Sequence, residues 1–114
     1  MSKITTHVLD VVTGKPAAGI AVRLERHAID RRKAGAWAQV AEGHTDADGR
    51  CRGLAENALP GTYRLTFETG AYLARQGRKS IYPEIQITFI SSGEEHYHLP
   101  LLLSDNSYTT YRGS

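Results

Sequence analysis

Histidines are the side chains in this sequence best suited to proton transfer near neutral pH, because a free imidazole titrates near pH 6.5. His96 and His98 form a His-Tyr-His unit, and on a strand both imidazoles would point to the same face. His7 lies in another alternating segment, with Thr5 and Leu9 on its own face. These three histidines are therefore candidates for acid–base catalysis or for binding a metal ion.

Two kinds of site are compatible with three such histidines. A zinc site would take two ligands from His96 and His98 and a third imidazole from elsewhere in the chain. Without a metal, the same imidazoles would act as acid and base. His27 and His44 have no comparable motif around them, so we expect solvated surface residues at these positions. The residues alone leave zinc and metal-free chemistry open.

Cys51 is a poor candidate for a nucleophile, although Arg50 and Arg52 flank it and positive charge lowers the pKa of a thiol. Alternation along a strand turns Cys51 to the face opposite both arginines, so we expect a small packed residue. A single cysteine also excludes an internal disulfide and argues against a cysteine-based metal site. The sequence contains neither a Gly-x-Ser-x-Gly motif nor a phosphate-binding glycine-rich loop.

Short strands are predicted for the segments that carry these residues. Residues 20–26, 63–68 and 85–89 alternate apolar and polar side chains with a period of two. The predicted strands are 4–12, 20–27, 36–43, 51–54, 62–68, 83–91, 95–103 and 107–112. Residues 70–77 are predicted to form one short helix, and residues 28–35 a solvated hairpin loop. Short strands separated by turns that contain glycine, proline or aspartate are typical of an antiparallel sandwich or barrel.

Size and charge exclude several classes of protein. A chain of 114 residues, 40% of them hydrophobic, fits one globular domain that covers residues 1–114. The basic clusters at 31–33 and 75–79 are short and carry no aromatic residues, so nucleic-acid binding is not expected. No run of about eighteen apolar residues predicts a membrane span, and the first residues show no secretory signal. We therefore expect a cytoplasmic protein.

Three successive leucines, Leu101 to Leu103, point alternately to the two faces of a predicted strand. One face can pack against the partner sheet, whereas the other needs a second cover. Another subunit or a flanking loop would provide that cover. The sequence thus favours a homo-oligomer and leaves the loop as the alternative.

Four groups of motifs, spread over the whole chain, carry a resemblance to a known family. They are residues 4–10 with 14–17, residues 45–50, residues 82–85 with 96–104, and residues 108–114. The Tyr-Arg-Gly-Ser at 111–114 and the His-Tyr-His-Leu-Pro-Leu-Leu-Leu run at 96–103 are the most specific of them. By these motifs the chain resembles the 5-hydroxyisourate hydrolases, also called transthyretin-related proteins.

The resemblance implies an all-β, transthyretin-like fold, an antiparallel β-sandwich of two four-stranded sheets with one short helix. It implies a homotetramer, a dimer of dimers, with active sites at the dimer–dimer interface. It further implies hydrolysis of 5-hydroxyisourate to 2-oxo-4-hydroxy-4-carboxy-5-ureidoimidazoline in urate catabolism, without a metal or another cofactor.

The same resemblance implies a set of site residues. The implied catalytic residues are His7, Arg50, His98 and Ser114. The implied substrate-binding residues are His7, Arg50, Tyr111, Arg112 and Ser114. Arg50 would bind the anionic substrate, while the histidines would activate water as base and acid. The spacing does not decide which histidine is the base.

Two other functions remain open. A small-molecule carrier of the transthyretin type shares the implied fold. The resemblance implies, however, that such a carrier lacks the set His7, Arg50 and His98 and the Tyr-Arg-Gly-Ser motif, which are typical of the enzymes. A zinc-dependent cyclic amide hydrolase would use the same histidines. The chain departs from the family pattern at an insert around residues 30–35 and at residues 104–107, and both departures fall in predicted loops.

Overall fold

The chain forms nine strands and one helix in the part that the computed structural model describes, residues 1–27 and 35–113. The strands are β1 (Ser2–Asp10), β2 (Lys15–Pro16), β3 (Ala21–His27), β4 (Trp37–His44), β5 (Arg50–Ala58), β6 (Gly61–Phe67), β7 (Ile85–Ser91), β8 (His96–Leu103) and β9 (Tyr108–Thr110). The helix α1 (Thr69–Arg75) lies between β6 and β7.

Two sheets make up the fold. In the first, β1 pairs with β8 along one edge and with both β2 and β5 along the other, and β9 extends the sheet beyond β8. The second sheet has the order β4-β3-β6-β7. The pair of β1 and β8 is parallel, and the other pairs are antiparallel. This parallel pair brings the first halves of β1 and β8 side by side.

Alternation along the strands builds the core between the sheets. In β1, Ile4 and Val8 are buried, whereas Thr5 and His7 lie on the outer face. The buried apolar residues also include Val22 and Leu24 of β3, Leu65 and Phe67 of β6, and Leu101 and Leu103 of β8. Each such side chain contributes roughly 1.5–3 kcal/mol when it leaves water. The burial of every second residue of β1 therefore fixes which side chains face outwards.

The predicted transthyretin-like sandwich of two sheets with one short helix is confirmed. The helix predicted at 70–77 spans Thr69–Arg75 and buries Tyr72 and Leu73. Two features of the first sheet differ from the prediction. The two-residue strand β2 adds a fifth strand, and it is too short to show any alternation. Strand β5 continues to Ala58, beyond the predicted end at residue 54, and the prediction stopped early because irregular pairing with β1 and a left-handed Gly53 interrupt the period of two.

The leucine run divides between the two faces of β8, as predicted. Leu101 and Leu103 point into the core, and Leu102 lies half-buried on the outer face opposite Leu9. The segment after β9 packs on this outer face, since a Cβ atom at Gly113 would lie 3.3 Å from Cγ of Pro100. A flanking segment of the same chain thus provides part of the second cover.

Most of the predicted loop at 28–35 lies outside the described residues, which omit 28–34. Within the described ranges, no helix has the length and apolar character needed to cross a membrane.

Candidate active site

The register of β1 and β8 assembles a row of polar side chains on the outer face of the first sheet. Lys3 is the neighbour of His96 across the pair, and Thr5 is the neighbour of His98. Since neighbours in register point to the same face, these four side chains share one surface with His7. Two strands that are distant in sequence thus place three histidines on one face, of which alternation had predicted the pair His96 and His98.

A tight turn before β5 sets the position of Arg50. Oδ1 of Asp46 accepts hydrogen bonds from the backbone N–H groups of Asp48 and Arg50, at 2.9 and 3.0 Å. Gly49 has φ +78°, and a Cβ atom there would lie 2.4 Å from the carbonyl oxygen of Val8. Only glycine fits this position, so the turn closes against β1 and directs the chain into β5 at Arg50.

His7 lies opposite Arg50 across the β1–β5 pair. Its Nε2 is 2.7 Å from the carbonyl oxygen of Asp48. Because a carbonyl can only accept, Nε2 carries the hydrogen of this bond, and a neutral His7 keeps its lone pair on Nδ1. The same turn therefore orients His7 and Arg50 together.

His98 is half-buried, and its Nδ1 is 2.8 Å from Oγ1 of Thr5. Burial lowers the pKa of His98 below its usual value of 6.5, and the charges of His96, Arg50 and His7 lower it further. The imidazole of His98 is thus neutral at pH 7, the state in which it can accept a proton.

A cavity of about 590 Å³ opens on this face. Its lining residues are Lys3, Ile4, Thr5, Thr6, Arg50, Cys51, Arg52, Gly53, Glu56, His96 and His98. Three cationic side chains and two imidazoles outweigh the one carboxylate, that of Glu56, around this space, which therefore suits a small anion. His7 lies outside the lining, next to Arg50.

The thiol of Cys51 is buried. Burial raises its pKa, and the charge of Asp46 raises it further. The prediction of a small packed residue at this position is therefore confirmed.

The segment after β9 runs along β8 to the histidines. The N–H of Gly113 donates to the carbonyl oxygen of His98 at 2.7 Å. Arg112 donates to Glu94 and to the carbonyl oxygen of His96, with its guanidinium carbon 4.5 Å from the ring centre of Tyr97.

The remaining residues of the Tyr-Arg-Gly-Ser motif are placed as follows. Tyr111 is 52% exposed. Ser114 lies outside the described residues, so the structure does not locate its side chain. Of the residues implied for the site, the structure brings His7, Arg50 and His98 together and leads the chain past His98 at Gly113.

Of the lining residues, only Arg50 and His98 were among the implied site residues, and the polar side chains outside that set include Lys3, Thr5, Arg52 and His96. Alternation contains the signal for Lys3 and Arg52. Arg52 lies two residues after Arg50 on β5, and Lys3 lies two residues before Thr5 on β1, so each shares a face with that residue. The contacts of Thr5 need more, because they depend on the register between β1 and β8.

The described residues also bear on metal binding. Within residues 1–27 and 35–113, no three histidine, cysteine, aspartate or glutamate side chains are grouped so that they could hold a metal ion.

Comparison with known proteins relates this site to a family. A model of the HIUase/Transthyretin family matches residues 4–113. The 5-hydroxyisourate hydrolase of Salmonella dublin is 46% identical over 114 residues, which cover 97% of this chain and 80% of that protein. The structure of Klebsiella pneumoniae 5-hydroxyisourate hydrolase matches with a TM-score of 0.86 at 42% identity and full coverage of both chains. Transthyretin from Sparus aurata matches with a TM-score of 0.87 at 36% identity, over 95% of this chain and 93% of that one. This protein belongs to the HIUase/Transthyretin family.

Proposed function

We propose that this protein is a hydrolase that opens the ring of 5-hydroxyisourate in urate breakdown. The observation that carries the proposal is that Arg50 and His98 line one cavity of small-molecule size, with His7 next to Arg50. The names of the similar proteins from Salmonella dublin and Klebsiella pneumoniae support the same activity. The product is 2-oxo-4-hydroxy-4-carboxy-5-ureidoimidazoline.

His98 acts as the general base in this proposal. It is neutral near pH 7 and lines the cavity. It takes a proton from water while the water oxygen forms a bond to the ring carbonyl carbon. The carbon–nitrogen bond of the ring then breaks, and the departing nitrogen receives a proton. Positioned acid–base groups accelerate such steps by roughly 10²- to 10⁴-fold.

Arg50 binds the substrate anion and stabilises the negative charge that grows on the carbonyl oxygen. A guanidinium is planar and permanently charged, so it offers two parallel donors to such an oxygen. His7, whose ring is oriented by the carbonyl of Asp48, supplies the proton to the leaving nitrogen from Nδ1, in the form of the imidazole that carries a hydrogen on both nitrogens. The bond to Asp48 fixes the ring without removing its second nitrogen from use.

The Tyr-Arg-Gly-Ser segment completes the proposed site. The hydrogen bond from the N–H of Gly113 to the carbonyl oxygen of His98 brings the described chain to the histidines one residue before Ser114. We propose that Ser114 orients the water or an imidazole and that Tyr111 and Arg112 contribute to substrate binding. The proposed active form is a cytoplasmic homotetramer, a dimer of dimers, in which a second subunit covers the cavity at the dimer–dimer interface.

A carrier of planar ligands is the second candidate function. Sea bream transthyretin, whose structure in complex with thyroxine is known, matches this chain with a TM-score of 0.87 at 36% identity. Carrier function requires an apolar binding surface above all. The cationic and imidazole groups around the present cavity favour an enzyme instead.

The direct test generates 5-hydroxyisourate from urate with urate oxidase and follows its absorbance decay. We expect this protein to accelerate the decay, with a rate proportional to its concentration. Equal decay with and without the protein would contradict the proposal, and tight binding of thyroxine in that case would favour the carrier. A strong chelator is expected to leave the rate unchanged, whereas loss of activity that zinc restores would favour the zinc hydrolase.

A further inference from the structure

The hydroxyl of Thr5 stands between two imidazoles. Its Oγ1 is 2.9 Å from Nε2 of His96 and 2.8 Å from Nδ1 of His98. All three side chains lie on the outer face of the first sheet and line the cavity. The register fixes this arrangement, because Thr5 is the neighbour of His98 across the β1–β8 pair.

A hydroxyl has one hydrogen, and this limits the hydrogens on the two rings. Thr5 can donate to one imidazole nitrogen only. When both rings are neutral and both bonds form, one ring nitrogen accepts the hydroxyl hydrogen and the other donates its own N–H to the oxygen. Thr5 therefore links the tautomer of His96 to the tautomer of His98.

We propose that Thr5 is a positioning residue that donates to Nε2 of His96 and accepts from Nδ1–H of His98. In this arrangement the lone pair of His98 lies on Nε2. His98 can then act as the base that the proposed function assigns to it, and the present inference rests on that function.

The proposed function requires this direction and not the reverse one. Thr5 engages Nδ1 of His98, which leaves Nε2 as the ring nitrogen that can act on water. The reverse arrangement would put a hydrogen on Nε2 of His98, and this atom would then be unable to accept a proton from water.

The first test reads the tautomer without substrate, by nitrogen NMR of histidine-labelled protein above the pKa of His98. We expect Nδ1 of His98 to carry the hydrogen and Nε2 to carry the lone pair. In Thr5→Val and in His96→Leu, which remove the hydroxyl and its acceptor, we expect a mixture of tautomers. A hydrogen on Nε2 of His98 in the wild type, or an unchanged spectrum in both variants, would overturn the proposal.

The second test is kinetic. A neutral hydrogen bond is worth about tenfold in an equilibrium, so we expect kcat of Thr5→Val to fall about tenfold with KM changed less than about twofold. Thr5→Ser keeps the hydroxyl and should restore kcat to within about threefold of the wild type. Thr88→Val makes the same substitution on an exposed position of β7, in the other sheet, and serves as the control.

The two tests separate this inference from the proposed function. Full activity of Thr5→Val, or an effect on KM alone, would overturn the positioning role. A wild-type protein without any activity would remove the proposed function, and the NMR measurement would still decide the direction of the Thr5 hydrogen bonds.

Discussion

At the level of single residues, the imidazole of His98 lies among positively charged groups. Burial lowers the pKa of His98, and His96, Arg50 and His7 add to the shift from β8, β5 and β1. The same cations that would attract an anionic substrate therefore also keep the proposed base unprotonated. Substrate binding and base strength are thus linked through Arg50.

Replacing Arg50 with glutamine should change the pH profile as well as the rate. Without the arginine charge the pKa of His98 rises, so the acid limb of kcat/KM should move to higher pH. We also expect kcat/KM to fall at least about tenfold through the loss of substrate contacts.

Arg52→Gln is the matched control for this pH profile, because Arg52 lines the cavity but is not among the groups that shift the pKa of His98. Its acid limb should stay in place. If the acid limb of kcat/KM lay at the same pH in the wild type and in Arg50→Gln, a group other than His98 would be responsible for it.

The sequence predicted the identities of the main site residues better than their contacts. Period-two alternation indicated that His96 and His98 share a face and placed His7 among the candidates, and the resemblance added Arg50. The contact of Thr5 with two imidazoles was not predictable, because alternation along one strand says nothing about the register of its neighbour.

At the scale of elements, a buried ion pair connects the end of β1, the segment after the helix α1 and the turn between β8 and β9. Asp10, at the end of β1, is fully buried and accepts hydrogen bonds from Arg78 and from the hydroxyl of Tyr72. Burial alone would raise the pKa of Asp10, but the bonds from Arg78 and Tyr72 keep it lowered. Arg78 also bonds Asp105 in the turn between β8 and β9, so this network positions the strand that leads to Gly113.

Arg78→Met should destabilise the fold, because it leaves the carboxylate of Asp10 buried without its cation. Removal of one partner from a buried pair costs about 3 kcal/mol or more of unfolding free energy. Urea denaturation measures this loss.

Arg23→Met gives the comparison for Arg78→Met, since the ion pairs of Arg23 with described residues are longer, at 3.7 and 3.9 Å. Its expected cost is below about 1 kcal/mol. Similar losses for the two variants would mean that Asp10 does not depend on Arg78.

Elements with regular alternation were predictable, and irregular ones were not. Strands β3, β6, β7 and β8 were predicted within two residues at each end. The second half of β5 was missed because Gly53 and two register shifts break its period. Sequence patterns also do not reveal that β8 lies parallel to β1, since this depends on how the chain crosses between the sheets.

At the scale of the whole molecule, apolar side chains remain on the surface. Val11 and Val12 are more than half exposed, and Leu102 is half-buried on the outer face of the first sheet. A continuous exposed apolar surface is typical of contacts between subunits. The exposed apolar side chains therefore support the proposed tetramer, in which a second subunit would cover the part of this face that the segment after β9 leaves open.

Light scattering after size-exclusion chromatography tests the tetramer. Four chains of 12.5 kDa should give a particle of about 50 kDa. Fully active protein that elutes as a monomer would contradict the proposal that a second subunit covers the cavity.

The activity of His98→Asn tests most directly whether the cavity on the outer face catalyses the reaction. Asparagine keeps a polar side chain of similar size but removes the base, so kcat/KM for 5-hydroxyisourate should fall at least about a hundredfold with unchanged folding. His44→Asn makes the same substitution at an exposed position of β4 and should stay within about twofold of the wild type. Near-normal turnover by His98→Asn would contradict the account.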